Sequence, residues 1–280
     1  MLGKLIKNEF KTTWQSMSGI YLAAGITALT MLIFVVLKIK AITAIGSIAL
    51  LVIAAVSLVM TIIMVVTNYY RSMFGPQGYL TFTLPVKSSN LFFSKALVSF
   101  IWVLLSFVFV GAILAFLFFY LIAQTSASVK DLAKTLYSFV QQIKGIPDFD
   151  TVKYLMVLLV VIGFIGLLAF VCKVYFAMTL AHTKLFQKMS APLASIIVYF
   201  ILYLISQLVN VFCMTSVPIA IVVSGNSVYL SLTRGMLESI ANISPNYIPF
   251  PIGGYIFTIL FSVVLYFVTS YLIKNKVNVK

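Results

Sequence analysis

Six long apolar runs, separated by short polar segments, restrict this chain of 280 residues to folds that span a membrane. Only 9% of its residues are charged, whereas soluble domains carry about 25%. An α-helix crosses the roughly 30 Å of hydrocarbon in a bilayer with about 20 residues, and each run is long enough to do so. We therefore predict an all-α polytopic membrane protein with six transmembrane helices. These helices are expected over residues 19–37, 42–67, 97–123, 154–171, 192–223 and 251–273.

The positions of the basic residues predict how these spans are oriented. If both termini are cytoplasmic, the inner segments carry twelve Lys and Arg residues and one acid, and the outer segments carry seven basic residues and four acids. Cytoplasmic loops are enriched in Lys and Arg, so both the N and C termini are predicted to lie inside. The same rule accounts for the net charge of +14. We therefore expect membrane lipids, and no nucleic acid, next to the basic residues.

The first 18 residues predict a separate amphipathic helix that precedes the first span. Leu2, Ile6, Phe10 and Trp14 fall at helical spacing on one face, and lysines occupy the other. A helix of this kind lies along the membrane interface, with its lysines toward lipid phosphates. We expect it on the cytoplasmic side.

The acidic residues exclude several classes of function. All five lie outside the six apolar runs, whereas ion-coupled transporters place Asp, Glu or His at membrane depth. Lipid-modifying enzymes need acid, His or metal groups at the interface, and none is visible in the sequence. The chain also lacks the G-x-x-x-x-G-K-[ST] motif of phosphate-binding loops. We expect no catalytic residue, no metal site and no cofactor on this chain, so that any transport is powered by another polypeptide.

The polar segment 68–96, between the second and third spans, carries the most specific motif. Residues 78–86 read Gly-Tyr-Leu-Thr-Phe-Thr-Leu-Pro-Val, and the preceding Gly75 and Pro76 favour a turn. This motif resembles the loop after the second span of bacterial ABC-2-type permeases, which are the membrane subunits of ATP-driven exporters. The order of the amphipathic start, the six spans and the outer loop between the last two spans is similar to that family as well.

The resemblance implies a type V ABC exporter-like fold and a set of partners. Segment 68–96 would dock on an ABC ATPase (nucleotide-binding) subunit, which would carry ATP and Mg, and a second permease chain would complete a homo- or heterodimer. Residues 1–18 would connect the ATPase to the spans. The residues themselves leave two alternatives open, which are a partner-free turn for segment 68–96 and a plain membrane anchor for residues 1–18. The docking residues that the resemblance implies are Arg71, Phe74, Gly75, Gly78, Tyr79, Phe82, Leu84 and Pro85.

Polar side chains form a stripe along each of the second and fifth spans. The stripe of the second span fits helix packing through small and hydroxyl side chains. The stripe of the fifth span contains Tyr, Gln and Asn, which are costly against lipid and should face a protein interface or a cavity. In the exporters that the chain resembles, these two spans flank the transport pathway. The candidate pathway residues are Ser57, Thr61, Tyr199, Tyr203, Ser206, Gln207 and Asn210.

Two outer segments are expected to contain helices. A short amphipathic helix is predicted over Val129–Ile143. Between the last two spans, the resemblance implies a helical element within residues 224–250. The fifth span, 192–223, is longer than a bilayer needs and is expected to tilt or bend near Pro218.

These observations predict a permease subunit of an ATP-driven exporter in the bacterial cell membrane, with no enzyme activity of its own. Its uncharged stripes suit an amphipathic or hydrophobic substrate, such as a peptide, an antibiotic or a lipid. The alternative is a membrane sensor or immunity subunit that binds peptide or lipid without transporting it. A passive channel is disfavoured, because its pore would carry charged or Gly-rich filter elements.

Overall fold

A computed structural model of the chain describes residues 2–36, 40–75, 78, 88–125, 137–138, 149–186, 189–224, 227–232 and 248–275. This part of the chain is mostly helical and includes one small β-sheet. The chain divides into two units, Met1–Leu136 and Tyr137–Asn278.

The first unit contains three long helices that pack against one another. They are α1 (Leu2–Val36), α2 (Lys40–Met73) and α3 (Ser88–Thr125). One part of their core is formed by Met17, Val98 and Trp102. A second part lies around Leu50 and Ala54 of α2, which pack against Ile113, Leu117 and Tyr120 of α3.

Helix α1 is uninterrupted across residue 18, where we predicted a boundary between an interfacial helix and the first span. Part of its predicted lipid-facing side is instead a packing surface, because Ile6 and Phe10 contact the core around Trp102. The placement of residues 1–18 along a membrane interface stays a prediction.

The second unit also has three mutually packed long helices. They are α4 (Phe149–Ala181), α5 (Ala191–Ser216) and α6 (Gly253–Asn275), with a short 3₁₀ turn at Lys184–Phe186. Ser190 precedes α5, and a proline stands in its first turn, where no backbone N–H is needed for the helix. Tyr175, Thr179 and Thr269 are completely buried in this unit.

A three-stranded antiparallel sheet joins α5 to α6. Its strands are β1 (Ala220–Ser224), β2 (Ser227–Ser231) and β3 (Ile248–Pro251), in the order β2-β1-β3. The fifth helix therefore ends at Ser216, and our predicted span to residue 223 is too long.

The expected helical element within 224–250 is replaced by strands in the part that the structure describes. The physical reason is local. Valines stand immediately before Ser224 and after Ser227, and a Gly-Asn pair between two short runs of this kind is typical of a two-residue hairpin. Ser224 pairs with Ser227 across these two residues. The predicted helix Val129–Ile143 lies almost wholly outside the described residues.

Five of the described helices are long and apolar enough to cross a membrane, which is compatible with a multi-pass membrane protein. The helical segments that are long and apolar enough are Thr43–Met73, Ser89–Phe118, Lys153–Ala181, Ala191–Ser216 and Gly253–Lys274. The helices also extend beyond several of the predicted apolar runs. Helix α2 continues to Met73 and α3 begins at Ser88, so both enter the segment that we predicted as a loop.

Candidate functional site

An ion pair joins the three helices of the first unit at one end. Lys95 of α3 donates from its ammonium to Glu9 Oε1 of α1. The other carboxylate oxygen, Oε2, accepts from Asn68 Nδ2 of α2 at 3.4 Å. Lys95 is 2% exposed and Glu9 is 16% exposed, so both charges are largely removed from solvent. We call Glu9, Asn68 and Lys95 the Glu9 junction.

A second polar contact reinforces the junction one turn along α1. Trp102 Nε1 donates to Thr13 Oγ1 at 2.8 Å, and both side chains are buried. The indole also stacks on Phe10, with ring centroids 5.0 Å apart and an interplanar angle of 12°. These contacts fix the rotation of α1 against α3, because a buried indole N–H without an acceptor is costly.

A chain of hydroxyl groups continues through the same unit. The Ser106 hydroxyl of α3 lies 2.6 Å from Thr61 Oγ1 of α2 and 2.9 Å from the Tyr21 hydroxyl of α1. Thr61 is also within 2.7 Å of the Ser57 carbonyl oxygen, and both Ser57 and Thr61 are buried. The stripe of the second span thus makes helix–helix contacts inside the first unit. Its role in a substrate pathway stays a prediction.

The predicted docking residues that the structure describes lie in the last turn of α2 or just after it, close to Asn68. Arg71 is exposed in the last turn of α2, whereas Phe74 is buried and contacts the Tyr69 ring edge-on at 5.9 Å. The Gly75 amide donates to the Tyr70 carbonyl at 3.0 Å, which closes the helix end.

Close backbone approach explains the glycine at position 75, where a Cβ would lie 2.8 Å from the Arg71 carbonyl oxygen. The Gly78 amide donates to the Gly75 carbonyl at 2.8 Å, so these two predicted docking residues are in direct contact. The remaining predicted docking residues fall outside the described part of the chain. They are Tyr79, Phe82, Leu84 and Pro85.

The polar stripe of α5 contacts both other long helices of the second unit. Lys173 Nζ of α4 donates to Ser206 Oγ at 2.8 Å, and Ser206 is buried. Asn210 Nδ2 donates to Thr258 Oγ1 of α6 at 3.1 Å. Two of the predicted pathway residues therefore hold α5 to its neighbours.

The other three predicted residues of this stripe are more accessible. Tyr203 is 45% exposed, and Gln207 is exposed. Tyr199 is partly buried and meets Phe170 of α4 edge-on, with ring centroids 6.3 Å apart. The stripe thus has a packed side and an open side.

Glycine sets the distance between α5 and α6. A Cβ on Gly254 would overlap the Asn210 side-chain oxygen and lie 2.6 Å from Met214 Cγ. A Cβ on Gly253 would lie 2.6 Å from the Cys213 carbonyl oxygen. Small residues allow helices to approach closely in membranes, and here they bring Asn210 within reach of Thr258.

Sequence reasoning missed three of the charged residues that matter here. It assigned Glu9 no partner, and it counted Lys95 and Lys173 among the basic residues of cytoplasmic segments. A usable signal was present, since each lysine lies two positions from the end of a predicted apolar run, and its long side chain can reach the interior of a helix bundle. What a single sequence does not contain is the contact between residues that are 86 positions apart, as Glu9 and Lys95 are.

The described residues contain no group of three or more His, Cys, Asp or Glu side chains that could hold a metal ion. No protein-family model matches the chain, and no significant match was found among curated proteins or solved structures.

Proposed function

We propose that this chain is the permease subunit of an ATP-driven exporter in the bacterial cell membrane. It would have six spans with both termini in the cytoplasm. A separate ABC ATPase would bind ATP and Mg, and a second permease chain would complete the pathway. The substrate would be an amphipathic or hydrophobic molecule moved out of the cell.

The observation that supports this proposal best is the Glu9 junction. Asn68 lies near the end of α2 and Lys95 near the start of α3, so the two residues flank the segment that resembles a docking loop. Glu9 holds both of them to α1. A movement imposed on the docking segment would therefore be passed directly to the N-terminal helix, as a connecting helix requires.

The burial of the junction makes this connection stiff. Removing one partner of a buried ion pair typically costs about 3–5 kcal/mol, because the other charge is left without compensation. The docking segment itself offers an accessible cation next to the junction, since Arg71 is exposed in the last turn of α2. An arginine in this position suits a carboxylate on a partner protein.

The experiment is a mild-detergent pull-down of the tagged full-length chain from its native cell, followed by mass spectrometry and an ATPase assay. We expect a nucleotide-binding subunit to be recovered with the wild type and lost with Arg71→Glu or Tyr79→Ala. The matched control is Lys274→Glu, which reverses another basic residue in the last turn of a helix and should retain the subunit.

One result would contradict the docking role, and another would contradict the permease assignment itself. Equal recovery of the subunit with Arg71→Glu, Tyr79→Ala and Lys274→Glu would eliminate the docking role of segment 68–96. Isolation of the chain without any ATPase, in conditions that preserve a known transporter complex, would favour the sensor or immunity subunit that binds peptide or lipid without transporting it.

A further inference from the structure

The second unit contains a lysine whose chemistry points to a ligand. Lys173 lies inside α4, with eight further helical residues after it, and most of these are buried. Its ammonium reaches Ser206 Oγ at 2.8 Å. Ser206 is about 22 Å along α5 from Ala191, and a 26-residue helix is about 39 Å long. The ammonium is therefore held near the middle of an apolar, membrane-length helix.

Within the described part of the chain, this ammonium has fewer hydrogen-bond acceptors than donors. A lysine ammonium has three N–H donors, and Ser206 is the single acceptor recorded for Lys173 among the residues that the structure describes. The described residues of α5 and α6 contain no acid, and the acid of α4, Asp150, lies about 34 Å from Lys173 along the helix axis. A charge at membrane depth without a counter-ion is expensive and usually marks a functional site.

The surroundings of Lys173 suit one kind of molecule. Phe170 precedes Lys173 by one turn of α4 and contacts Tyr199 of α5, so the lysine borders the face that carries Tyr199, Tyr203 and Ser206. Tyr203 is half-exposed on this face. On α5, Ile196 and Phe200 precede Tyr203 by seven and three residues, and they expose apolar side chains that are suited to a hydrocarbon chain.

We propose that Lys173, Ser206, Tyr199 and Tyr203 form a binding site for the anionic headgroup of an amphipathic molecule, and we call them the Lys173 site. The ammonium pairs with a carboxylate or phosphate oxygen of the headgroup, and Tyr199 and Tyr203 lie beside the headgroup. This inference deepens the proposed function, because it changes the expected cargo from any amphipath to one that carries a negative charge. The same headgroup chemistry is present in anionic lipids of the bilayer.

The test uses the full-length chain in neutral detergent and native mass spectrometry. The probes are dodecyl phosphate and dodecylphosphocholine, which share a hydrocarbon chain and differ in net headgroup charge. We expect wild type to bind dodecyl phosphate at least about tenfold more tightly, the factor associated with one hydrogen bond to a charged group. Lys173→Met should abolish this preference and Lys173→Arg should keep it. Lys274→Met, the control for net charge, should keep it as well.

An unchanged preference in Lys173→Met, or a wild-type chain that does not distinguish the two probes, would overturn the site. If circular dichroism shows that Lys173→Met has lost its helices, Lys173→Arg becomes the test of the site. A folded Lys173→Arg variant that no longer prefers dodecyl phosphate would also overturn the site.

A second arm identifies the source of the ligand. The chain is reconstituted in vesicles of phosphatidylcholine with or without phosphatidylglycerol and then extracted. Phosphatidylglycerol that stays bound in wild type, but not in Lys173→Met, supports the site with a bilayer lipid as occupant. If the chain is first exposed to phosphatidylglycerol and dodecyl phosphate still binds it at full occupancy, the site is supported with a free amphipathic molecule as its occupant.

No ATPase takes part in either experiment. The Lys173 site can therefore fail while the permease proposal stands, and the permease proposal can fail while the site stands.

Discussion

Lys95 in the first unit and Lys173 in the second are both held inside long helices, but their partners differ. Lys95 pairs with the carboxylate of Glu9 and is almost completely buried. Lys173 has a serine hydroxyl as its recorded partner and is partly exposed. A lysine that is neutralised by its own chain joins helices, as Lys95 does. Lys173 has no acidic partner among the described residues, and this difference is the basis for proposing that it binds an anion.

The largest effect is expected from removing Lys95, and removal of Lys173 is the comparison. Lys95→Met leaves the Glu9 carboxylate buried without its counter-charge and should lower the free energy of unfolding by about 3–5 kcal/mol. Lys173→Met should change it by less than about 1 kcal/mol, because the Ser206 hydroxyl can still donate to the Tyr203 carbonyl at 2.9 Å. Unfolding in mixed detergent–SDS micelles, followed by circular dichroism, measures both.

The double variant Glu9→Gln/Lys95→Met is the control for this prediction. It removes both charges and should recover much of the lost stability. Equal costs for Lys95→Met and Lys173→Met would show that the two lysines do not differ in the way we describe.

A smaller effect is expected where the second unit depends on close packing. Gly254→Ala should push Asn210 away from Thr258 and cost about 1–3 kcal/mol of unfolding free energy, since the added methyl group overlaps the Asn210 side chain. Gly163→Ala in α4 is the matched control, because nothing lies within 4 Å of a Cβ at that position. The control should be neutral or stabilise by up to about 1 kcal/mol through helix propensity. Equal stability of the two variants in the same unfolding assay would contradict the packing argument.

The smallest effect concerns His182, the only histidine of the sequence, which follows the last residue of α4. Burial lowers the pKa of His182 below its usual value, and the hydrogen bond from Nδ1 to the Met178 carbonyl opposes this shift. Because the unfolded chain binds the proton more readily, protonation favours unfolding as the pH falls below about 6.5.

We therefore expect the unfolding free energy to decrease by less than about 1 kcal/mol between pH 7.5 and pH 5.5 through this group. His182→Gln should remove that part of the pH dependence. A wild type and a His182→Gln variant with identical pH profiles would show that the burial of the imidazole has no consequence for stability.

Much of the helical framework could be predicted from the sequence, because hydropathy is a local property. The five membrane-length helices all contain predicted runs, but their ends differ. Hydropathy detects the part of a helix that crosses hydrocarbon, whereas α2 and α3 continue into polar residues. The β-hairpin around Gly225-Asn226 was missed although its signal was present, since the resemblance implied a helical element there.

Only part of the Lys173 site could be predicted from the sequence. The stripe on α5 was predicted from helical periodicity, and Ser206 and Asn210 do contact neighbouring helices. Lys173, which gives this stripe its charge, comes from another helix and was counted as a residue of a cytoplasmic segment. Periodicity places residues on a face of one helix but says nothing about which other helix packs there.

The sequence by itself determined that this chain forms long apolar helices, because about 20 consecutive apolar residues are stable in a bilayer only when their backbone groups are bonded within a helix or a closed barrel. Only the tertiary structure decided which charges are neutralised. Glu9 meets Lys95 and Asn68 because α1 packs against both α2 and α3, and Lys173 meets Ser206 because α4 packs against α5. The reason is physical, since the energy of a buried charge depends on the groups within a few ångströms of it, and packing brings those groups from distant parts of the chain.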